Sequence, residues 1–439
     1  MKKVYYGFGL LLAMALPRLA SAHKTDTTFI VHEIINDTLP TAALTLRPGF
    51  HATIVASGLN GVRHLTVTNK GDIYVKLSKL KDGKGIYYLK DVNGDGNPDE
   101  QTGFGDYPGT GILVKNGYLY ASSNDDIYRY KLNENNEVIA PDAPEKIVSG
   151  LVNHNRDNSK SLAVDNKGNI YVNVGSYTNA CLEGKNLTAP MPCPILDSAG
   201  GIWKYRADKQ NQRFKDGVRY ATGLKNVVGL DWNTATNSLF VMQHGRDQLN
   251  LLYPQYFSKE QDATLPAETM YELHKGDNAG WPYVYYDPHQ KKKILAPEYG
   301  GDGNKTGGEK TIDPVVVFPA HLAPNALLFY TGNSFPEKYK HGAFIAFHGK
   351  SAELQKGYLV AFVPFKNGKP SGQWEIFADG FNPAGTSIQH KPCGLAQGAD
   401  GSIYIADDAG GTIYRIQYKK QIVNGDSKTA LHPHDLILY

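Results

Sequence analysis

In the segment DVNGDGNPDE, residues 91–100, Asp91, Asn93, Asp95 and Asp99 fall at loop positions 1, 3, 5 and 9, with Gly96 at position 6. Oxygen-bearing side chains at that spacing suit a hard cation such as Ca2+, which takes carboxylate and amide oxygens. The twelfth position is Thr102 rather than Glu, so the helix-flanked calcium loop is incomplete. The expectation is a structural Ca2+ loop between strands, with a plain acidic turn as the alternative.

A second group of polar clusters is spread along the chain. His154 stands in NHNRDNSKSLAVDNKGNIYVNVGS (153–176), ahead of a strand-like run, and a histidine so placed suits proton transfer. ATGLKNVVGLDW (221–232) sets Lys225 and Asn226 before the next such run, and MQHGRDQLNLL (242–252) sets Gln243, His244, Gly245, Arg246 and Asp247 after it. GDNAGWPYVYYD (276–287), HLAPNALLFYTGNSFPEKY (321–339), AFHGKS (346–351) and an element opening HKPCGLAQ (390–397) follow. Each cation and histidine has a plain structural alternative, as a solvated rim charge or a packed core residue. His321, His348 and His390 are read as structural.

The elements that position these clusters repeat. LTVTNKGDIYVKL (65–77), ILVKNGYLYASSNDDIYRY (112–130) and LAVDNKGNIYVNVGS (162–176) share apolar alternation broken by a turn with glycine. Looser copies are GLDWNTATNSLFVMQHG (229–245), GAFIAFHGKSAELQKGYLVAFV (342–363) and GLAQGADGSIYIADDAGGTIYRIQY (394–418). Period-two alternation around such turns is a hairpin signal, because glycine accepts the positive φ that the turns require. Six copies, about 50 residues or more apart, predict an all-β fold, a six-bladed β-propeller of four-stranded blades. The segments 178–200, 251–320 and 364–390 are expected to be long loops on the ligand-binding face, with short helical turns near 255–262. Each polar cluster holds a comparable place in its blade, so the clusters can converge on one axis.

This order of motifs resembles the glucose/sorbosone dehydrogenase family, soluble six-bladed propellers that use pyrroloquinoline quinone (PQQ). The resemblance runs from about residue 45 to 418. It is carried by His154 before IYVNVG, Lys225-Asn226 where the family has Arg-Asn, and Gln243, His244, Gly245 and Asp247. Asn278-Ala279-Gly280-Trp281-Pro282 stands for NYGWP, and residues 321–336 fit HxAPxxxxFYxGxxFP. It implies an oxidoreductase that oxidises a sugar of aldose type, or a related alcohol or aldehyde, by hydride transfer to PQQ. In that reading His154 is the general base, and Ca2+, held by the His244 and Gly245 carbonyls, polarises the quinone. Lys225, Asn226, Gln243, Asp247, Lys350 and Lys391 would bind the cofactor, the lysines facing its three carboxylates as point charges. Asn153 stands where the family has an acid and is expected to orient His154 without raising its basicity; Cys393 stands where an Arg is expected. A glutamine that the glucose-oxidising branch places near the sugar has no clear counterpart, Thr110 being nearest.

Export is read from the first 22 residues. Lys2 and Lys3, the apolar run Tyr5 to Leu16 and the small residues Ala20, Ser21 and Ala22 make a secretory signal peptide, too short in its apolar part to span a bilayer. The expected organisation is a signal peptide at 1–22, an N-terminal segment at 23–44, the propeller at 45–420 and a tail at 421–439. The protein is placed in the periplasm or the medium, with no membrane span. There Cys181 and Cys193, flanking a Pro-rich loop, are expected to form a disulfide, with Cys393 left as a buried thiol. A formal charge of +3 gives no field that would recruit nucleic acid. No CxxCH occurs, so electrons must pass to an external acceptor. Two other functions compete: a Ca2+-dependent propeller lactonase, which needs carboxylates on the axial metal, and a cofactor-free binding propeller.

Overall fold

The computed structural model describes residues 42–382 and 387–419. The signal peptide at 1–22 and the tail at 421–439 lie outside the described residues. Among the described residues the strands gather into six blade sheets of four or five strands, one for each repeat, and two separate two-stranded hairpins. The first blade comprises Val62–Val67, Ile73–Lys81, Lys84–Lys90 and Glu100–Phe104. The innermost strands of the other five are Ile112–Lys115, Leu162–Val164, Val227–Asn233, Pro324–Phe329 and Pro392–Gln397. Ring closure is mixed: the sixth blade takes Phe50–Ala56 from the start of the fold as its outer strand, antiparallel to Thr412–Tyr418.

The turns form for the reason that the repeats suggest. In DNKGN, Asp165 Oδ1 accepts from the Lys167 and Asn169 amides, each at 2.8 Å, and Gly168 takes φ +73°, where a β-carbon would be strained. Alternate residues of each strand then face the two neighbouring blades. Six apolar clusters result, one between each consecutive pair of blades. Burying each such Leu, Ile, Val or Phe contributes about 1.5–3 kcal/mol. A cavity of about 380 Å³ remains on the axis, lined by inner strands of all six blades, from His64 of the first to Gln397 of the sixth.

The long inter-repeat segments are less uniform than expected. Segment 251–320 carries the blade strands Glu268–Leu273 and Val316–Phe318, and a hairpin, Val284–Asp287 with Lys292–Leu295. Its helical turns are Leu249–Leu252 and Lys259–Thr264. Segment 364–390 carries the blade strand Glu375–Asp379, and its small hairpin at 365–370 packs away from the polar end. Gly368 lies against Thr236, in the turn that follows the inner strand Val227–Asn233. That segment is therefore not one more loop over the mouth; its apolar Phe365 is drawn into the stack with Phe240 and Phe329.

Cys181 and Cys193 are bonded, and Cys393 is a buried free thiol. The disulfide loop is sewn to the segments on either side of the blade strand Glu268–Leu273, by Tyr253 Oη donating to the Leu187 carbonyl at 2.5 Å and by Cys193 N donating to Tyr283 Oη at 2.9 Å. Among the described residues no helix is long and apolar enough to cross a membrane. Closing a loop of this length should stabilise the fold by about 3 kcal/mol. Replacing both Cys181 and Cys193 by Ser is expected to lower the unfolding free energy by that amount in guanidinium titrations; an unchanged midpoint would show that those two segments hold the loop alone.

Candidate active site

In an antiparallel blade the start of the inner strand and the end of the second strand lie at the same end. That rule brings the polar clusters together. Arg63 and His64, Lys225 and Asn226, and Asn325 stand at or near starts of inner strands; Gln243 and His244, His348, and Asp407 and Asp408 stand at or near ends of second strands. Hydrogen bonds then join the blades across the axis. Arg63 Nη1 donates to Asp408 Oδ2 at 2.7 Å, and His348 Nε2 lies 2.7 Å from Asp408 Oδ1. Arg63 also reaches Ser159 Oγ at 3.5 Å, and Thr110 Oγ1 donates to the same hydroxyl at 3.3 Å. Lys225 Nζ pairs with Asp157 at 3.3 Å, and Asn173 Nδ2 donates to Asn226 Oδ1 at 3.1 Å. Gly175 lets these strands close: a β-carbon there would collide with Asp157 O and lie 2.6 Å from Asn226 Oδ1.

Two histidines are locked by main-chain carbonyls. His64 Nε2 donates to Asn325 O at 2.9 Å, and His244 Nε2 to Pro324 O at 3.0 Å. Burial, and then the cations Arg63 and Lys225 respectively, hold His64 down at about 4 and His244 at about 3. Both are therefore neutral near pH 7. Burial also pushes the Cys393 thiol up to about 12, which leaves it inert as a nucleophile. Burial would raise Asp408, but the His348 hydrogen bond and the Arg63 charge outweigh it and keep the carboxyl below its ordinary range.

Of the residues expected from sequence, Lys225, Asn226, Gln243 and His244 meet in this network. Gln243 Oε1 accepts from Lys225 N at 3.1 Å. Asp247 is turned outward, its Oδ1 3.5 Å from His321 Nδ1 and its backbone bonded to Asn179. His321 is thus tied to the loop that follows Gln243. Lys350 is exposed and pairs with no described acid; Lys391 is half-buried, its Nζ 5.9 Å from the Tyr358 ring centre. His154 is exposed, its ring 4.2 Å from that of Tyr177. Asn153 does not orient it: Asn153 Oδ1 accepts from Asn155 N at 3.2 Å and Asn158 Nδ2 at 3.3 Å, because the left-handed turn at Asn155 folds the loop back on it.

The 91–100 loop stands apart from this network. Asp91 accepts from the Gly94 and Gly96 amides, and Asp99 from those of Val92 and Asn93. Asn93 Oδ1 and Asp95 Oδ1 likewise cap Asp95 N and Asn97 N. Among the described residues no three His, Cys, Asp or Glu side chains gather as a metal cage.

Sequence reasoning missed Arg63, His64, Asp157 and Asp408 and set His348 aside. The signal was available: Arg63-His64 precedes LTV as Lys225-Asn226 precedes VVGL, and Asp408 follows IYIAD as Gly175 follows YVNV. Superposing the repeats by strand register would have placed Arg63, His64 and Asp408 at the same end as Lys225, whereas Asp157 lies in a loop that has no such register.

A six-bladed propeller with one polar axial end is the class that fold and site define. The chain belongs to the TrAA12-like family, whose model matches residues 44–419. It is 23% identical over 412 residues to a protein of Hypocrea jecorina named pyrroloquinoline quinone-dependent sugar dehydrogenase, covering 86% of this chain and 90% of that one. An uncharacterised protein of Borreliella burgdorferi is 27% identical over 271 residues, which span 61% of this chain and 62% of that protein. Among solved structures, the calcium structure of a Trichoderma reesei enzyme of carbohydrate-active family AA12 superposes with a TM-score of 0.69 at 19% identity, over 88% of this chain and 99% of that one. The holo PQQ domain of Coprinopsis cinerea pyranose dehydrogenase gives 0.67 at 19% identity, over 87% and 98%. These structural likenesses confirm the fold.

The depressed histidines give the protein an acid-side signature. The unfolded chain takes a proton on His64 near pH 6.5, whereas the folded chain takes it only near 4, so stability falls as pH drops through that window. His64→Gln keeps a donor for Asn325 O but cannot titrate. Its urea midpoint should fall less between pH 7 and 4.5 than that of the unaltered protein; equal losses would mean that His64 is protonated in the folded state.

Proposed function

We propose that this protein is an exported PQQ- and Ca2+-dependent dehydrogenase that oxidises a sugar, or a related alcohol or aldehyde, and passes electrons to an external acceptor. The observation that carries the reading is the convergence of Lys225, Asn226, Gln243 and His244 on the polar end of the axis in a chain of the TrAA12-like family. The Hypocrea jecorina relative's name supports PQQ and sugar.

The donor set fits such a cofactor. Lys225 has three N–H donors and one carboxylate partner, and Arg63 has five donors with two in use, so both retain donors for further carboxylates. Their side chains are only 6% and 16% exposed, so an anion there would be bound with little screening. Among the described residues, no hydrogen bond reaches the carbonyl oxygens of His244, Gly245 or Arg246. Main-chain oxygens left free beside an anion site suit Ca2+.

In this mechanism Lys225, Arg63 and Asn226 would hold the cofactor, with Lys350 and Lys391 toward the rim, and the 244–246 carbonyls would hold the metal. When bound, PQQ supplies the electron-accepting quinone and Ca2+ the Lewis acid that polarises it. An imidazole nitrogen of His154 takes the proton of the substrate hydroxyl, with Tyr177 fixing the plane of the ring. Asp157, through Lys225, ties the loop that carries His154 to the cofactor side of the site. A lactonase would need carboxylates on the axial metal, whereas Asp157 and Asp408 at this end are engaged by Lys225, Arg63 and His348.

Purified full-length protein, given PQQ, CaCl2 and a redox dye, should show a quinone absorption change and reduce the dye with at least one aldose of a panel. Absence of both responses would overturn the assignment, and tight PQQ binding without dye reduction would make the protein a binding propeller. His154→Ala should lower dye reduction by about 10²–10⁴-fold, the usual worth of a positioned base, while PQQ affinity stays within twofold. A variant that keeps its rate would remove His154 from the mechanism.

A further inference from the structure

Glu268 opens the third strand of the fourth blade, Glu268–Leu273, and is 4% exposed. Its Oε2 accepts from the Gly245 amide at 2.8 Å and its Oε1 from the Ala323 amide at 3.2 Å. No ion pair joins it to a described cation. A carboxylate buried this way is held by main-chain donors alone. Gly245 lies in the loop that follows the second strand of its own blade, and Ala323 lies in the turn that enters the fifth blade, with φ +51°. The same loop and turn are joined by His244 to Pro324 O and by Asp247 to His321.

What Glu268 fixes is therefore the plane of two peptides. In a trans peptide the N–H and the preceding C=O point in opposite directions. Holding the Ala323 amide aims the Leu322 carbonyl the other way, and that oxygen accepts from Gly349 N at 2.7 Å. Holding the Gly245 amide likewise aims the His244 carbonyl away from the carboxylate, and no described donor meets that oxygen.

We infer that Glu268 is a positioning residue for a cation bound by the His244–Gly245 main chain: it clamps the Gly245 amide so that the His244 carbonyl oxygen is presented to the metal. The inference rests on the reading of that loop as the Ca2+ site. Groups that orient metal ligands from behind are worth about 10–100-fold in metal affinity.

The test is calorimetric titration of CaCl2 into the full chain after chelator treatment, with and without PQQ, so that any uptake by the 91–100 loop cancels and the PQQ-dependent binding is read. Glu268→Gln, which offers one acceptor where two are needed, should weaken that binding by about 10–100-fold. Glu272→Gln, which removes a carboxylate bonded to Ser238 Oγ on the same strand, should leave it unchanged. A folded Glu268→Gln protein that melts at a lower temperature but binds Ca2+ within twofold of the unaltered chain would overturn the inference and make Glu268 a purely structural clamp. If Glu268→Gln does not fold, Glu268→Asp, with the charge kept and the reach shortened, is judged by the same criterion. An unaltered chain with no PQQ-dependent Ca2+ uptake would instead overturn the reading of the loop itself.

Discussion

The pairing of Phe50–Ala56 with Thr412–Tyr418 is the contact on which the rest of the molecule depends. Six inner strands can face one axis only if the ring is closed, and an unclosed sixth blade would leave a strand edge and two apolar faces in water. Phe50, opposite Tyr418 in this ladder, also packs edge-on against Phe335, Tyr339 and Phe377, with ring centres 4.7–5.2 Å apart. The residue that closes the sixth blade thus binds it to the fifth. Thr45–Leu46, just ahead of it, extends the fifth blade by pairing with Glu375–Asp379.

Once the ring is closed, two kinds of interaction divide the molecule. Between the blades the contacts are apolar and nearly interchangeable; at one end of the axis they are polar and specific. Arg63 bridges the sixth blade and the loop that enters the third, through Asp408 and Ser159. Cations as buried as Arg63 and Lys225 need compensation, and Asp408 and Asp157 supply it. The carboxylates keep the site close to neutral locally while leaving donors free. A ligand with several carboxylates would then be met by hydrogen bonds of fixed direction rather than by a general positive field, in keeping with the small net charge of the chain.

The blades were legible in the sequence because each hairpin carries its own signal: an Asn-Lys-Gly or Asp-Gly turn between alternating strands is set by local sterics. The Cys181–Cys193 disulfide was legible for the same reason, its two ends lying 12 residues apart. The polar network was only half legible. Lys225, Asn226, Gln243 and His244 stand in motifs, whereas Arg63, Asp157 and Asp408 gain their roles from partners up to 345 residues away. The clamp at Glu268 carries no local mark at all, since its partners are backbone amides and any residue type but proline could supply them. Segment 364–390 was misjudged because its outer strand and hairpin are short, and Phe365 is placed by packing that no periodicity announces.

The same contrast bears on the chemistry. Lys225, Asn226, Gln243 and His244 sit at strand ends, where neighbouring strands fix the backbone. His154 sits in a loop whose residues Asn155 and Asp157 both adopt left-handed φ, +59° and +46°, a conformation that Asn and Asp tolerate because their short side chains bond locally. Its ring is supported by one aromatic face rather than by a carboxylate. The anchor of that loop is the Asp157–Lys225 pair, so the group proposed to take the proton and the group proposed to hold the cofactor share one ion pair. An anion bound at Lys225 would share that ammonium with Asp157, and the pair would adjust its geometry. Any loosening of that pair would be felt at His154, which couples occupancy of the axial site to placement of the base through a single side chain.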